Sequence, residues 1–284
     1  MKFGFVILHY LTEDDTERCI NSILSMYDSF SYDIVVVDNL SNNGSLEKLM
    51  STFKSFKFIH FLKNEKNLGF ARGNNRGYEY CRSELKCDTI IVLNNDVLVN
   101  SKNLFVQIKK DINEFNCAVI GPDIMSLLNG NHQNPMIEKS LKKKQIIKEI
   151  MRYSLLYLCA ALKIYGIIQC LVGRKKVKKI QVNRNTITNK VINQQLHGSF
   201  LIFTPKFTTK METAFCNDTF LYLEETILYK ICEVKHLTML YDPQIKVLHK
   251  EDSATNKLNQ NTNEKRIFIF KNMLRSYRVL LKFY

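Results

Sequence analysis

No C-x-x-C pair occurs among the eight cysteines of this 284-residue chain, and no histidine cluster lies beside them. A disulfide framework and a zinc site are therefore disfavoured. Cys19, Cys81, Cys159, Cys170 and Cys232 sit in apolar or helical contexts, where free thiols pack as small hydrophobes in a reducing compartment. No signal peptide opens the sequence: MKFGFVILHY is a short apolar run followed at once by acidic TEDD, which points to the cytosol. No internal repeat and no low-complexity linker is present, so one domain with an insertion is expected. Apolar residues make up 45% of the chain, which excludes a disordered polypeptide and allows a substantial core. Acid is scarce in one place. From Lys139 to Lys190 fourteen Lys or Arg face a single acid, Glu149, and this segment holds nearly all of the net charge of +14. A basic region so local implies a specific negative surface.

Apolar runs supply the framework. FGFVIL (Phe3–Leu8), Ile34–Asp38 within DIVVVDN, FKFIHFL and TIIVL read as four buried strands. T-E-D-D at Thr12–Asp15 matches a capping box and predicts a helix to about Met26. SNNG turns the chain into a helix near Ser45–Phe53, and another runs through Tyr78–Arg82. Strands alternating with helices predict βαβ units, a parallel sheet and helices on both faces. Later, AVIGPDI and Phe200–Phe203 read as strands, FLYLEETILYKICEVK as a loop entering a helix, and TMLYDP and IKVLHK as two short strands.

Ligands of such sheets bind outside the carboxyl ends of the strands. His9 and Tyr10, Asp38 and Asn39, and Asn94 to Asp96 all follow strands, so they should gather along one edge. Any one of them is ordinary turn chemistry; their joint placement favours a ligand site. In IIVLNNDVLV (Ile90–Val99) three polar residues interrupt a buried pattern, and a buried carboxylate such as Asp96 needs a partner. NLGFARGNNRGY (Asn67–Tyr78) spaces glycines 69, 73 and 77 by four along one helix face. They permit close approach of backbone or ligand. Gly69 near the helix start would leave N–H groups for an anion, with Arg72 adding charge. Tight helix–sheet packing explains the same glycines.

NLGFARGNNRGY, with VVVDN before it and LNNDV after it, resembles bacterial family-2 glycosyltransferases of the GT-A fold, the rhamnosyltransferase-like and capsular-polysaccharide members in particular. The likeness continues in order through HQNP (His132–Pro135), HGSFLIF (His197–Phe203), FLYLEE (Phe220–Glu225) and YDPQIKVLHKEDSATN (Tyr241–Asn256). It implies a single α/β, Rossmann-like nucleotide-diphospho-sugar transferase domain over residues 1–284, with a mostly parallel central sheet flanked by helices. Residues 1–100 would form the nucleotide-binding half, 139–190 a basic helical insertion, 191–256 the acceptor and catalytic half, and 257–284 a C-terminal helical segment.

The resemblance also implies residue roles. Asp96 matches the last acid of a D-x-D-like motif that holds a divalent cation on the donor diphosphate. Asn94 stands at the first acidic position, so one carboxylate remains. Oxygen ligation beside phosphates suits Mg²⁺ or Mn²⁺. His249 matches a position that supplies a further ligand; a hydrogen-bonded His at a strand end is the plain alternative. Asp38 would read the base or ribose, with Tyr10, Gly69, Arg72, Asn74, Asn94 and Asn95 on the nucleotide-sugar side. The family's acidic pair aligns with Glu224 and Glu225. Glu225 would take the proton of the acceptor hydroxyl in an inverting transfer, while Glu224 orients a substrate or caps the helix. Two acids at a helix start also favour it electrostatically. His197 and Gly198 belong to the acceptor-side loop, and Lys250 and Ser253 to a loop closing near the diphosphate. The activity implied is transfer from a nucleotide-diphosphate sugar to a glycan acceptor on polyprenyl diphosphate, at the cytoplasmic leaflet, in bacterial surface polysaccharide synthesis.

The insertion fits that setting on its own evidence. YSLLYLCAAL and IYGIIQCLV, Tyr153 to Val172, flank Lys163 and are flanked by KKK and RKKVKK. A midplane lysine costs about 2.5–3.5 kcal/mol, so an interfacial helix on an anionic membrane is preferred to a span, with a buried helical insertion as the alternative. The C-terminal RIFIFKNMLRSYRVLLKFY is a second basic, apolar contact or a helix packed on the domain. A sugar-nucleotide pyrophosphorylase would place a glycine-rich, lysine-bearing loop after the first strand, where HYLTEDD stands. An RNA-binding role for the basic segment with Tyr153, Tyr157 and Tyr165 leaves Asp38, Asp96 and Glu225 unused, so no nucleic acid partner is expected.

Overall fold

Uninterrupted apolar runs place the first four strands at the centre of the sheet. β1 (Phe3–His9), β2 (Tyr32–Asp38), β3 (Ile59–Lys63) and β4 (Thr89–Asn94) lie parallel in the order β3-β2-β1-β4, with Phe5 opposite Ile34 and Ile7 opposite Leu93. The computed structural model describes residues 1–26, 30–136, 141–165, 187–251 and 262–284. β1 is covered on both faces, as a continuous apolar parallel strand requires. Helices α1 (Glu13–Leu24), α2 (Ser45–Thr52) and α3 (Gly69–Ser83) make the crossovers. α3 sits close on the sheet because two of its glycines face it. A Cβ at Gly73 would stand 2.6 Å from Leu8 Cδ1, and one at Gly77 would stand 2.4 Å from Val6 Cγ1. Helix–sheet packing thus accounts for these two positions.

Beyond β4 the chain forms β5 (Val97–Val99), α4 (Leu104–Phe115), β6 (Val119–Ser126), α5 (Lys143–Ala161), β7 (Val191–Ile192), β8 (Phe200–Phe203), α6 (Pro205–Thr208), α7 (Glu224–Val234), β9 (Met239–His249) and α8 (Thr262–Leu281). The described residues form a nine-stranded sheet ordered β3-β2-β1-β4-β8-β6-β9-β5, with β7 on β9. β8 is antiparallel to β4 and β6, and β5 and β7 are antiparallel to β9, so the sheet is parallel in its first half and mixed beyond it. Two readings of the sequence change. IIVLNNDVLV is two strands, β4 and β5, separated by a turn at Asn95 and Asp96. TMLYDP and IKVLHK are one strand, β9. Its partner β6 steps from Pro122 opposite Asp242 to Asp123 opposite Lys246, and Pro243, which has no N–H for a ladder, lies in that bulge. Nor does the capping box form: Thr12 makes no side-chain cap bond to α1, and its Oγ1 accepts from Asn95 Nδ2 at 2.7 Å.

Two apolar layers cover the sheet, one around Phe3, Phe5, Ile20 and Phe105, the other around Tyr78, Phe203, Phe207 and Phe215. A third cluster, with Ile146, Ile227, Tyr277 and Leu280, joins α5, α7 and α8. α5 and α8 lie side by side and antiparallel. Lys143 Nζ meets the Tyr284 carbonyl at one end (3.4 Å), Asn263 Nδ2 meets the Ala160 carbonyl at the other (3.2 Å), and Tyr153 stacks on Tyr277 between them. The insertion helix therefore starts ten residues before Tyr153, and its Ile146, Cys159 and Ala160 are buried, so it is neither fully inserted nor fully free. Residues 166–172 of the predicted apolar stretch lie outside the described residues. Among the described residues no helix is long and apolar enough to cross a membrane, and the seven cysteines there are free thiols.

Candidate active site

The chain runs outward from β1 to β2 and β3, then returns to the other side of β1 as β4. A crevice opens at such a reversal, outside the carboxyl ends of the strands. Tyr10, Asn39 and Asn94 to Asp96 leave the sheet there. The antiparallel strands bring the second half of the chain to the same edge. The Asn94 N–H donates to the Ser199 carbonyl (2.9 Å), which docks the His197–Ser199 loop, and the β5–β9 ladder sets His249 opposite Val97.

Asp96 and His249 face one another at this edge. Asp96 Oδ1 lies 3.3 Å from His249 Nε2, the Lys250 N–H donates to the Asp96 carbonyl (3.0 Å), and both side chains are more than nine-tenths buried. His249 Nδ1 is 2.8 Å from Gln133 Oε1. An amide oxygen only accepts, so Nδ1 carries a proton; a protonated ring would also donate from Nε2 to Asp96, whereas a neutral ring leaves Nε2 a lone pair that, with the carboxylate, suits a cation. Neighbouring ligands on an octahedral Mg²⁺ at its ordinary bond length stand about 3 Å apart. Among the described residues no cluster of three or more His, Cys, Asp or Glu would enclose a metal by protein alone. Two protein ligands match a hard cation held chiefly by substrate phosphates and water.

The HQNP stretch supports this pair. Gln133 orients His249, while Asn134 Oδ1 accepts from the His197 N–H (2.6 Å) and its Nδ2 donates to the Pro122 carbonyl (2.9 Å). The His197 ring lies 5.7 Å from that of His249, and its Nδ1 pairs with Ser199 Oγ at 2.9 Å. Next in the loop, Gly198 looks onto Glu225: a Cβ there would sit 3.6 Å from Glu225 Oε2, an ordinary contact. Asp96, His249, His197, Gly198 and Glu225 thus follow one another along the crevice.

The turn into α7 aims the acidic pair. Tyr222 (φ 77°) and Leu223 (φ 64°) both take the left-handed conformation, at a cost of roughly 1–2 kcal/mol each for a residue with a Cβ. Neighbours hold the turn: Ser276 Oγ donates to the Leu221 carbonyl (3.1 Å) and the Phe70 N–H to the Phe220 carbonyl (2.8 Å). Glu225 is half-buried, whereas Glu224 is 4% exposed and its Oε1 has no partner among the described residues. Burial, then the charge of Glu225, pushes the Glu224 carboxyl up to about 7, although the Thr219 hydroxyl and the N–H groups of Tyr222 and Glu224 pull the other way. Two adjacent carboxyls in unlike environments are suited to unlike tasks. The folded state binds the Glu224 proton more tightly than the unfolded chain. Stability from this group is therefore full below its ordinary value and is lost as pH rises toward 7, by about 3 kcal/mol at most. Glu224→Gln is expected to flatten the fall in unfolding free energy between about pH 5 and about pH 8, as read in urea melts.

Asp38 ends β2, on the far side of β1 from β4. Ser41 donates to its Oδ1 from the backbone N–H (3.1 Å) and from Oγ (2.5 Å). A cavity of about 280 Å³ opens there, lined by Asp38, Ser41, Asn42, Gly44, Glu47 and Lys63 among others. Tyr10 is half-buried at the end of β1.

Other predicted residues are placed differently. Asn95 turns inward and donates to Thr12 Oγ1 (2.7 Å) and Thr16 Oγ1 (2.9 Å), bracing α1. Gly69 has φ +77°, and a Cβ on it would stand 2.2 Å from the Phe220 carbonyl oxygen, so it is required for contact with the loop before α7. The N–H groups of Leu68, Gly69 and Phe70 go to Asn39 Oδ1, Asn67 Oδ1 and the Phe220 carbonyl, so none of these three is left for an anion. Among the described residues Arg72 Nε and the Oδ1 of buried Asn74 have no partner, which suits both to a ligand. Lys250 pairs with Asp15 (2.8 Å), and Ser253 lies outside the described residues. His9 is wholly buried between Thr16 Oγ1 and Ser45 Oγ, and burial holds its imidazole below its ordinary pKa. Two structural hubs are Asn39, read from the sequence only as a strand-end residue, and Asn75, which that reading missed. Asn39 ties β2 to Asn64, Asn67 and Leu68, and Asn75 pins α3 to Phe215 and Asn217.

Comparison with known proteins gives this geometry a setting. The model of the family described as glycosyl transferase family 2 matches residues 5–180. The low-salt glycan biosynthesis hexosyltransferase Agl10 of Haloferax volcanii is 28% identical over 130 residues, 43% of this chain, and the matched stretch spans only 36% of that relative. Among solved structures, S. aureus TarS 1–349 in complex with UDP superposes with a TM-score of 0.55 at 12% identity, covering 96% of this chain and 71% of that one. The mannosyltransferase PcManGT from Pyrobaculum calidifontis, in complex with GDP-Man and Mn²⁺, gives a TM-score of 0.55 at 9% identity over 99% of this chain and 72% of that one. At these identities the likeness is one of fold, and the fold is GT-A.

Proposed function

From the premise that the chain belongs to glycosyl transferase family 2, we propose that it transfers a hexosyl or deoxyhexosyl group from a nucleotide-diphosphate sugar to a hydroxyl of a glycan acceptor, with inversion. The reading rests on one observation above all: Asp96 meets His249, His249 lies beside His197, and Gly198 lies beside Glu225, while Asp38 at the carboxyl end of β2 opens on a cavity of its own. Asp38 and Ser41 suit the hydroxyls and N–H groups of a nucleoside, and the unpartnered Arg72 Nε suits a diphosphate oxygen. Asp96 and His249 would hold Mg²⁺ or Mn²⁺. Once bound, the ion supplies positive charge to the departing diphosphate.

Glu225 acts on the acceptor. Its carboxylate takes the hydroxyl proton as that oxygen bonds to the anomeric carbon, and the bond from that carbon to the β-phosphate oxygen breaks, its electron pair leaving with the nucleoside diphosphate. Glu224, kept largely neutral up to about pH 7 by burial, places little like charge beside it. His197 and Gly198 shape the wall between donor and acceptor. In its finer form the proposal makes the acceptor a glycan on polyprenyl diphosphate at the cytoplasmic leaflet, in bacterial surface polysaccharide synthesis of the rhamnosyl or capsular kind. The motif likeness supports that form. Calorimetric titration with UDP, dTDP, GDP and CMP, with and without Mn²⁺, tests the core of the reading. One nucleotide should bind, and more tightly with metal; folded protein that binds none of them overturns it.

A further inference from the structure

Ile147, Met151, Leu155, Leu158 and Leu162 recur at helical spacing along and just beyond α5, and all are between 41% and 62% exposed. A row of five large apolar side chains in solvent is costly unless something covers it. Exposed Lys144, Lys148 and Arg152 flank it. On α8, Lys271, Arg275, Arg278 and Lys282 also share one exposed helix face. With Tyr157 of α5 they line a groove of about 590 Å³, in which Asp218, paired to Lys282 at 2.8 Å, is the one acid among the described residues lining it. The groove reaches α5 at Tyr157, next in sequence to Leu158 of the apolar row.

We propose that these faces of α5 and α8 are one docking surface for an anionic phospholipid bilayer, the leucines entering the acyl boundary and the lysines and arginines meeting headgroup phosphates. Charge selects this occupant. A second copy seated on the row by two-fold symmetry would set like charge against like, since Lys144, Lys148 and Arg152 flank it. A nucleic acid would use the cations and leave the leucines in water. Only an anionic, apolar-centred partner satisfies both rows.

The surface also bears on the crevice. α8 holds the turn before Glu224 through Ser276 and Leu221, and Phe268 packs edge-on against Phe220. Docking would thus set the acceptor side at the lipid headgroups. That consequence rests on the transferase reading; lipid binding does not.

Co-sedimentation of the full chain with phosphatidylcholine vesicles, with and without phosphatidylglycerol, tests the proposal. Binding should require phosphatidylglycerol and weaken with salt. Lys271→Glu with Arg275→Glu should weaken it by roughly tenfold or more, and Leu155→Glu with Leu158→Glu should abolish it. All four side chains are exposed, so the variants should fold, and nucleotide titration should be unchanged in both. Equal binding to uncharged vesicles, no binding by folded protein, or a dimer dispersed by the leucine variants would each overturn the proposal. Nucleotide binding lost in the wild type would sink the transferase reading and leave the vesicle result standing.

Discussion

Glu225→Gln is expected to lower sugar transfer by about 10²–10⁴-fold in kcat while nucleotide and metal binding stay unchanged. The amide keeps the shape of the side chain and cannot accept the acceptor proton. Glu225 is the half-buried member of the pair and the one facing Gly198, so it is the carboxylate we propose for the incoming hydroxyl. The fold should tolerate the change: losing one acid from the first turn of α7 removes roughly 0.3–1 kcal/mol of helix-dipole stabilisation. Steady-state release of nucleoside diphosphate gives kcat and KM separately, and the loss should fall on kcat, because a base acts only as the transition state forms. Glu224→Gln provides the contrast. It should change stability with pH more than turnover, since Glu224 is buried and its carboxyl, pushed up to about 7, is largely neutral below that pH. If Glu225→Gln kept full activity and Glu224→Gln lost it, the two roles would have to be exchanged.

Much of this site was legible because strand ends can be read. Periodicity located β1, β2 and β4, and a parallel sheet sends the residues after those strands to one edge, so Tyr10, Asp38 and Asp96 could be set at that edge without coordinates. The likeness to family motifs added His197, Glu225 and His249. Side-chain direction was not legible. Asn94, Asn95 and Asp96 read alike in LNND, yet the turn between β4 and β5 sends Asn95 into α1 and Asp96 toward β9. Thr12 had the sequence of a helix cap and became a partner of Asn95, because a tertiary donor outcompeted a local bond. Gln133, Asn134 and Asn75 act through partners more than fifty residues distant, and local pattern cannot choose such partners. The bulge in β9 was hidden for a related reason: DPQ reads as a loop, and only the unbroken register with β6 on either side makes one strand of it.

Asp96→Ala is expected to remove the metal-dependent part of nucleotide binding and to lower kcat/KM by roughly 10²-fold or more, since charge stabilisation by a bound cation is worth several kcal/mol. His249→Ala should act in the same direction with a smaller loss, because imidazole is a neutral ligand and Asp96 brings the countercharge. Gln133→Leu should cost about 10–100-fold in metal affinity. It touches neither substrate nor ion, but it frees the Nδ1 proton that fixes the tautomer of His249. The ranking Asp96, His249, Gln133 can be read as Mn²⁺ affinity in the presence of the bound nucleotide. Metal-free stability separates this account from its rival. A buried ion pair that loses one partner costs about 3–5 kcal/mol, whereas a carboxylate facing a lone pair 3.3 Å away is relieved by its removal. Metal-free Asp96→Ala should therefore melt close to the wild type. A drop of the ion-pair size, with nucleotide binding indifferent to Mn²⁺, would make Asp96 and His249 a structural clamp between β5 and β9, and the donor diphosphate would then have to be neutralised by Arg72 and the crevice alone.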